Sequence, residues 1–367
     1  MIPVVKPYLP NRQKLDKLID GIYERQWLTN NGVLVQELTQ KLEAYLGVKN
    51  LLLVSNGTLA LQIAYRALGI AGNDQEGCSE VITTPFTFIA TASSLKWEGL
   101  QPVFADIDPA SWCVKPANIE AAITSNTRAL VPVHVFGNPC DVEAIDEIAA
   151  RHKLKVVYDA SHAFGVKFKG ESVLNHGDAS TLSFHATKLF HTIEGGAIVF
   201  KHKDDFERAK KMINFGITGP ETVEALGINA KMNEFQAAMG LCLLDEIEDN
   251  LNARKVVSEY YQEKLPGYLQ QQNWDSSASR NYAYMPVVFE SESCAIAAMV
   301  KLGKSGINAR RYFYPSLDQV GIELGNLQPM SISRDISSRI LCLPIYAHLS
   351  GAELVRITDI INDLGKV

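Results

Sequence analysis

Lys188 ends a short polar run that follows an apolar segment, 179–184, and precedes a second one, 196–200. Both segments predict buried strands. A lysine placed between them could bind a carbonyl cofactor as a Schiff base, although a solvent-facing turn lysine fits the same pattern. Asp159 closes another predicted strand, 154–158, and favours the first interpretation. Pyridoxal phosphate (PLP) needs a carboxylate against its pyridine nitrogen as well as a lysine at its aldehyde.

Gly57 and Thr58 stand where a predicted strand meets a predicted helix. A helix N-terminus offers free backbone N–H groups and the positive end of the helix dipole, which suit a phosphate. Gly57 would let the backbone approach the anion, and the Thr58 hydroxyl could donate to it. Ser183 is a candidate for a second phosphate donor. A plain helix N-cap explains the first two residues equally well.

Phe86 and Phe88 follow the second predicted strand, in the segment TPFTF. An aromatic ring at the carboxyl end of a strand can stack on a planar cofactor ring. Because Phe86 follows Pro85 in a polar turn, we expect it to be the more exposed of the two and to make this contact. The alternative is a phenylalanine of the core.

Two histidines lie close to the candidate lysine and carboxylate. His162 stands three residues after Asp159 and could reach the phenolic oxygen of the cofactor, or it could be a buried, hydrogen-bonded histidine. His185 alternates with Ser183 along one strand, so it either faces the site or packs beside it. Asn229 alone predicts only a loop.

Strands must position these residues, and apolar segments alternate with helical patterns through most of the first 245 residues. This alternation predicts an α/β fold with a mostly parallel sheet covered by helices on both faces. The predicted strands are 51–54, 80–83, 102–104, 129–135 and 155–158, and the predicted helices between them are 58–68, 88–97, 116–122 and 142–152.

A long helical stretch from residue 234 toward 255 would carry the chain out of this large domain. The remainder predicts helices at 252–264, 293–304 and 350–364 and a strand at 284–289. We therefore predict a large domain, 1–245, and a smaller C-terminal α+β domain, 246–367.

Composition excludes several classes of function. A chain of 367 residues with 47% hydrophobic and 21% charged residues is typical of globular domains. The net charge of −6 argues against a nucleic-acid partner, and no apolar run is long enough for a membrane span. Residues 1–10 lack the pattern of a signal peptide.

No CxxC, HExxH, GxGxxG or P-loop motif occurs, so we expect no metal site and reduced thiols in a cytoplasmic protein. The cysteines are Cys78, Cys113, Cys140, Cys242, Cys294 and Cys342.

Ordered motifs along nearly the whole chain resemble those of the DegT/StrS family of PLP-dependent sugar-nucleotide aminotransferases. They are WLTNNG at 27–32, NGTLAL at 56–61, PVFADIDP at 102–109, DASH at 159–162, SFHATK at 183–188, EGG at 194–196, and the segments 229–238 and 343–346. The resemblance implies the aspartate-aminotransferase type of fold (PLP fold type I), with a large seven-stranded sheet. It also implies a homodimer with two active sites at the subunit interface.

The resemblance also implies a role for each candidate residue. The position of Lys188 carries the cofactor and moves protons, and the position of Asp159 pairs with the pyridine nitrogen. Phe86 matches the stacking aromatic, and Asn229 matches a residue that reaches the phosphate in the partner subunit. Positions that match phosphate-binding residues of the family are Gly57, Thr58 and Ser183. A branch of the family with histidine in place of the lysine acts as dehydratases, so the intact Lys188 favours transamination.

The segments FHATK, EGGA and NAKMNE are most similar to family members that aminate a keto-sugar nucleotide at C4 for O-antigen and related sugars. The resemblance thus implies transfer of the amino group of L-glutamate to dTDP-4-keto-6-deoxy-D-glucose. Amination at C3 of an isomeric keto sugar is an alternative. A PLP-binding regulator without catalysis is a second alternative, and the intact pair of Lys188 and Asp159 counts against it.

Overall fold

A seven-stranded sheet forms the centre of the fold in the computed structural model, which describes residues 1–71, 79–322, 324–325 and 330–366. The strands are β1 (Leu51–Val54), β2 (Glu80–Thr83), β3 (Gln101–Phe104), β4 (Thr127–Val131), β5 (Lys155–Asp159), β6 (Lys167–Phe168), β7 (Glu171–Ser172), β8 (Ala179–Ser183), β9 (Gly196–Phe200), β10 (Ile217–Gly219), β11 (Thr222–Val223), β12 (Pro286–Val288) and β13 (Ile340–Cys342). Cys78 lies outside the described residues, and the described cysteines are free thiols.

Helices cover the sheet and build the C-terminal part of the chain. They are α1 (Arg12–Arg25), α2 (Val33–Leu46), α3 (Gly57–Ala67), α4 (Ala90–Trp97), α5 (Pro116–Ala122), α6 (Val142–His152), α7 (Lys203–Met212), α8 (Glu234–Asp245), α9 (Ile247–Lys264), α10 (Glu292–Lys304), α11 (Ser331–Arg339) and α12 (Gly351–Asn362). No described helix combines the length and apolarity that a membrane crossing requires.

The order of strands in the large sheet is β1-β9-β8-β5-β4-β2-β3. Strands β3, β2, β4, β5 and β8 pair in parallel, and β9 pairs antiparallel with both β8 and β1. Six strands therefore run in one direction, which confirms the predicted mostly parallel sheet. The carboxyl ends of β1, β2, β5 and β8 meet at one edge, where open α/β sheets bind their ligands.

Local sequence explains the starts of two helices and one of two differences from prediction. Asn56 caps α3 by accepting a hydrogen bond from Leu59 N–H, and Asn233 forms a capping box at the start of α8. The strand predicted at 129–135 ends at Val131 because Pro132 has no N–H to continue the ladder. The Pro132 carbonyl still accepts from the backbone N–H of Asp159 at 2.9 Å, and Val133 forms an isolated parallel bridge with Asp159 beyond the proline. The helix predicted at 88–97 begins at Ala90.

Two apolar clusters of buried side chains include residues from the two faces of the large sheet, and a third cluster lies among β12, β13 and helices α9, α10 and α12. The N-terminal segment joins the third cluster, since Ile2 pairs with Ile307. The predicted boundary between residues 245 and 246 falls at the break between α8 and α9. The division into domains at this point stays a prediction.

Candidate active site

A cavity of about 310 Å³ opens at the edge where the carboxyl ends of the strands meet. It is lined by Asn56, Gly57, Thr58, Leu61, Thr87, Phe88, Ala90, Val133, Asp159, Ser161, His162, Ser183, His185, Thr187, Lys188, Glu194, Tyr284, Arg310, Tyr312 and Phe313. Six of the eight residues chosen from the sequence lie on this wall. The two exceptions are Phe86 and Asn229.

Lys188 projects into the cavity from the connection between β8 and β9. Its backbone N–H donates to the His185 carbonyl at 2.8 Å, which closes a tight turn after the strand. Its Nζ donates to the hydroxyl of Tyr284 at 3.2 Å. Burial lowers the pKa of the Lys188 amine to about 8, although attraction to Asp159 and then to Tyr312 opposes the shift. An amine with this pKa is partly neutral near pH 7, so it can act as a nucleophile and as a proton acceptor.

Asp159 ends β5 with a buried carboxylate that faces the same cavity. Its Oδ2 accepts from the Thr91 hydroxyl at 2.8 Å, and its Oδ1 accepts from the backbone N–H of Ser161 at 3.1 Å. The Thr91 hydroxyl lies 2.9 Å from that of Thr87, which extends the network from α4 to the loop that precedes it. These bonds hold the carboxylate in one orientation.

The N-terminus of α3 reaches the cavity beside the end of β8. A Cβ added to Gly57 would lie 2.8 Å from the Ser183 Cβ, so only glycine allows helix and strand to approach this closely. Thr58, in the first turn of the helix, is exposed toward the cavity. Free backbone N–H groups, two hydroxyls and the helix dipole thus converge at a place suited to a phosphate.

The expectation that Phe86 is more exposed than Phe88 is wrong. Phe86 is fully buried, with its ring edge-on to Phe136 and Phe313, whereas Phe88 is 51% exposed and lines the cavity. The backbone N–H of Phe86 donates to the Thr84 hydroxyl at 3.1 Å, so the loop curls inward after Pro85. The aromatic ring available to a ligand in this loop is therefore that of Phe88.

His162 forms part of an aromatic wall. Its ring is nearly parallel to those of Phe136 and Phe313, with interplanar angles of 11° and 7°. Its Nδ1 accepts from the backbone N–H of Phe136 at 3.2 Å. Burial, followed by the nearby charge of Lys188, holds the pKa of His162 well below its usual range, so the ring is neutral. A neutral ring with Nδ1 as acceptor carries its proton on Nε2.

Asn229 is not among the residues that line the cavity of its own chain. It is exposed and pairs with Asn214 in an isolated antiparallel bridge. The neighbouring Lys231 donates to the Asn214 side chain at 2.8 Å and lies over the ring of Phe215. The sequence indicated only a loop here, and the position of Asn229 is compatible with a contact outside its own chain.

Several residues on the cavity wall, or in contact with it, had no signal in the sequence. Tyr284 contacts the Lys188 amine from a position 96 residues away, in a segment predicted only as a strand. Arg310 lies 4.4 Å from the ring centre of Tyr312, and both follow α10. Thr91 supports Asp159 from within α4. Each of these contacts depends on how distant segments pack, which no local pattern reports.

A lysine, a carboxylate and a helix N-terminus at the carboxyl edge of a mostly parallel sheet are typical of enzymes that transfer amino groups with a bound aldehyde cofactor. A profile of the DegT/DnrJ/EryC1/StrS aminotransferase family matches residues 11–362. The chain belongs to this family. Aminotransferases of the family are generally PLP-dependent.

Two curated relatives cover the whole chain. The dTDP-4-amino-4,6-dideoxy-D-glucose transaminase of Shigella dysenteriae is 41% identical over 367 residues, which is 98% of this chain and 98% of the relative. The Escherichia coli protein of the same name is 38% identical over 375 residues, covering 100% and 99%. Family and relatives together confirm that the chain is a sugar aminotransferase.

Solved structures of aminotransferases share the fold of this chain. DesI in the presence of its TDP-sugar product has a TM-score of 0.91 at 32% identity, and the match covers 98% of this chain and 92% of that chain. Helicobacter pylori PseC, an aminotransferase of pseudaminic-acid biosynthesis, has a TM-score of 0.90 at 27% identity, covering 100% and 99%. The predicted fold class is confirmed.

Proposed function

We propose that this chain is a PLP-dependent transaminase that moves the amino group of L-glutamate to C4 of dTDP-4-keto-6-deoxy-D-glucose. The product would be dTDP-4-amino-4,6-dideoxy-D-glucose, as the names of the two curated relatives suggest. The observation that carries the proposal is the joint position of Lys188 and Asp159 on one cavity, with the α3 N-terminus on the same wall. The cytoplasmic location expected from the sequence stays a prediction.

The residues of the cavity fit PLP. Lys188 would bind its aldehyde carbon, and Asp159 would face its pyridine nitrogen. The phosphate would lie at the α3 N-terminus, where the approach of Gly57 to Ser183 leaves no room for a side chain on the helix. Phe88, the exposed aromatic of its loop, replaces Phe86 as the candidate for ring contact. When bound, PLP would supply an aldehyde carbon that carries the amino group between donor and acceptor and a pyridine ring that withdraws electrons.

The side chains around the cavity supply charge and proton transfer. The Asp159 carboxylate, held by Thr91 and the Ser161 N–H, presents a fixed negative charge to the base of the cavity. The Lys188 amine, with a pKa of about 8, can take up and release a proton near neutral pH. The neutral His162 ring closes the wall behind them and offers one N–H donor. These groups are the ones that proton movement at a substrate carbon requires.

The proposal is tested by incubating the purified full chain with PLP, L-glutamate and a panel of keto-sugar nucleotides. We expect bleaching of the visible PLP band by L-glutamate alone, followed by a product whose amine NMR assigns to C4. If NMR places the amine at C3 of an isomeric sugar, the proposed substrate is wrong but the transamination chemistry stands. PLP binding without bleaching by L-glutamate would support a non-catalytic regulator and overturn the proposal.

We also propose a homodimer in which Asn229 of one subunit binds the cofactor phosphate in the site of the other. Asn229 is exposed and does not line the cavity of its own chain, which supports this arrangement. Loss of a hydrogen bond to the charged phosphate in Asn229→Ala should weaken PLP binding by roughly 1.5–3 kcal/mol.

Mixed dimers test the shared site. In a dimer of one Asn229→Ala and one Lys188→Ala subunit, one site carries both changes and the other carries neither. Activity and PLP affinity should therefore recover when the two variants exchange subunits. No recovery after verified exchange would place both residues in one subunit's site and contradict the shared arrangement.

A further inference from the structure

Two buried polar residues of α9, Asn250 and Arg254, bind backbone groups next to the catalytic cavity. Asn250 Nδ2 donates to the carbonyl of Leu189 at 3.1 Å, and Leu189 directly follows Lys188. Arg254 Nη1 donates to the carbonyl of Ala283 at 3.4 Å, and Ala283 directly precedes Tyr284. The two side chains on α9 thus bind the peptide groups beside both residues of the Lys188–Tyr284 contact.

A third bond joins the two residues of α9. Arg254 Nε donates to Asn250 Oδ1 at 3.1 Å, one helical turn away. The hydrogen bond from the Lys188 amine to the Tyr284 hydroxyl completes a closed circuit of four hydrogen bonds, linked through the backbone at Lys188–Leu189 and Ala283–Tyr284. The ring of Tyr284 also lies under the amine, with 5.8 Å between Nζ and the ring centre. The lysine and the tyrosine therefore cannot separate without breaking a bond of a closed circuit.

Arg254 is a buried cation that lowers the stability of the fold while it supports the backbone. The residue is 2% exposed, and none of the ion pairs among the described residues includes it. Burial lowers its pKa to about 10, so it stays charged at neutral pH. A buried cation without a carboxylate costs stability. An apolar residue of similar volume would fill the same space without that cost, so packing alone does not account for the arginine.

We propose that Asn250 and Arg254 are positioning residues for amino transfer, which hold the Lys188 amine against the Tyr284 hydroxyl through the peptide groups beside each. The inference rests on the proposed role of Lys188 as the amine that binds PLP. Its physical basis is that an amine held in one orientation reacts faster with a bound aldehyde than an amine that moves freely. Tyr284 contacts the reacting atom directly, whereas the two residues of α9 act through the backbone.

The test measures how Lys188 captures PLP in the cofactor-free, full-length protein. Capture is followed by absorbance, and borohydride reduction with peptide mass spectrometry assigns it to Lys188. Varying the PLP concentration separates the initial binding constant from the limiting capture rate. Positioning of the amine affects the limiting rate, whereas damage to the phosphate site affects the binding constant. Tyr261→Phe is the matched control, because that buried hydroxyl on α9 bonds to the Pro344 carbonyl, outside the circuit.

We expect Tyr284→Phe, Asn250→Ala and Arg254→Met each to lower the limiting rate by about 2- to 13-fold, because each loosens the Lys188–Tyr284 contact and the net effect of that one hydrogen bond has this size. The initial binding constant should stay unchanged, and Tyr261→Phe should behave as the unaltered chain does. The double variant Tyr284→Phe with Arg254→Met should be no slower than the slower single variant, because both break one circuit.

Two results would overturn the inference. One is an unchanged limiting rate in both Asn250→Ala and Arg254→Met, and the other is a double variant whose loss is the product of the single losses. If Arg254→Met does not fold, Asn250→Ala alone and combined with Tyr284→Phe decides the matter with the buried cation in place. Absence of capture at Lys188 in the unaltered chain would instead overturn the proposed function, and this inference with it.

Discussion

The ionisation of Lys188 allows a quantitative test of the candidate site. Burial brings the pKa of this amine to about 8 from 10.5. At pH 7, about a tenth of the molecules would then have a neutral Lys188, against about one in 3,000 for an unshifted lysine. The concentration of nucleophilic amine at neutral pH thus rises about 300-fold.

Competitive labelling of the cofactor-free protein with trace acetic anhydride measures this pKa. Because only the neutral amine reacts, the extent of labelling at Lys188, read by mass spectrometry, should rise with pH to a midpoint near 8. Exposed lysines such as Lys304 are internal references. A midpoint above about 10 would refute the argument that burial in this cavity prepares the amine for reaction.

A substitution of Asp159 tests the direction in which the pKa of Lys188 responds to its neighbours. The carboxylate raises the pKa of Lys188 against the larger effect of burial, so Asp159→Asn should move the labelling midpoint to lower pH. The same variant should retain PLP but slow turnover, because a neutral amide no longer stabilises a protonated pyridine nitrogen. An unchanged or higher midpoint would mean that Asp159 does not act on the amine.

Two further predictions concern the cofactor cradle and the aromatic loop. Gly57→Ala should weaken PLP binding, because the new methyl group would lie 2.8 Å from the Ser183 Cβ and displace the α3 N-terminus. Equilibrium titration checks this, with Gly303→Ala as control, since nothing lies within 4 Å of a Cβ there. Phe88→Ala should weaken PLP binding with little loss of thermal stability. Phe86→Ala should cost about 3–5 kcal/mol of unfolding free energy, as expected of a buried aromatic, and equal stability losses would contradict the assignment.

The sequence predicted the parts of the fold and site that depend on local pattern. Short apolar segments alternating with amphipathic ones indicate buried parallel strands and covering helices whatever the details of packing. Lys188 and Asp159 could be found because each follows such a strand, and strand ends meet at one edge of the sheet. Gly57 could be found because a glycine between a strand and a helix has few structural purposes.

The errors and omissions arise where tertiary packing decides. Phe86 and Phe88 differ in exposure because the loop turns inward after Pro85, and their spacing in the sequence does not show this. Tyr284 and Arg254 lie far along the chain from the lysine they support, in segments whose patterns indicate only a strand and a helix. Glu246, at the break between α8 and α9, accepts hydrogen bonds from Tyr8 and Asn11, a contact between distant segments that no local pattern shows.

The central claim is that the chain, with Lys188 as the residue that binds PLP and moves protons, transfers an amino group from L-glutamate to a dTDP-4-keto sugar. Its most direct test combines L-glutamate labelled with ¹⁵N and dTDP-4-keto-6-deoxy-D-glucose with the PLP-loaded full chain. The account predicts ¹⁵N at C4 of the sugar product with the unaltered chain and none with Lys188→Ala. Labelled product from Lys188→Ala above about a thousandth of the unaltered rate would contradict the role of Lys188. Absence of labelled product from the unaltered chain would contradict the proposed reaction.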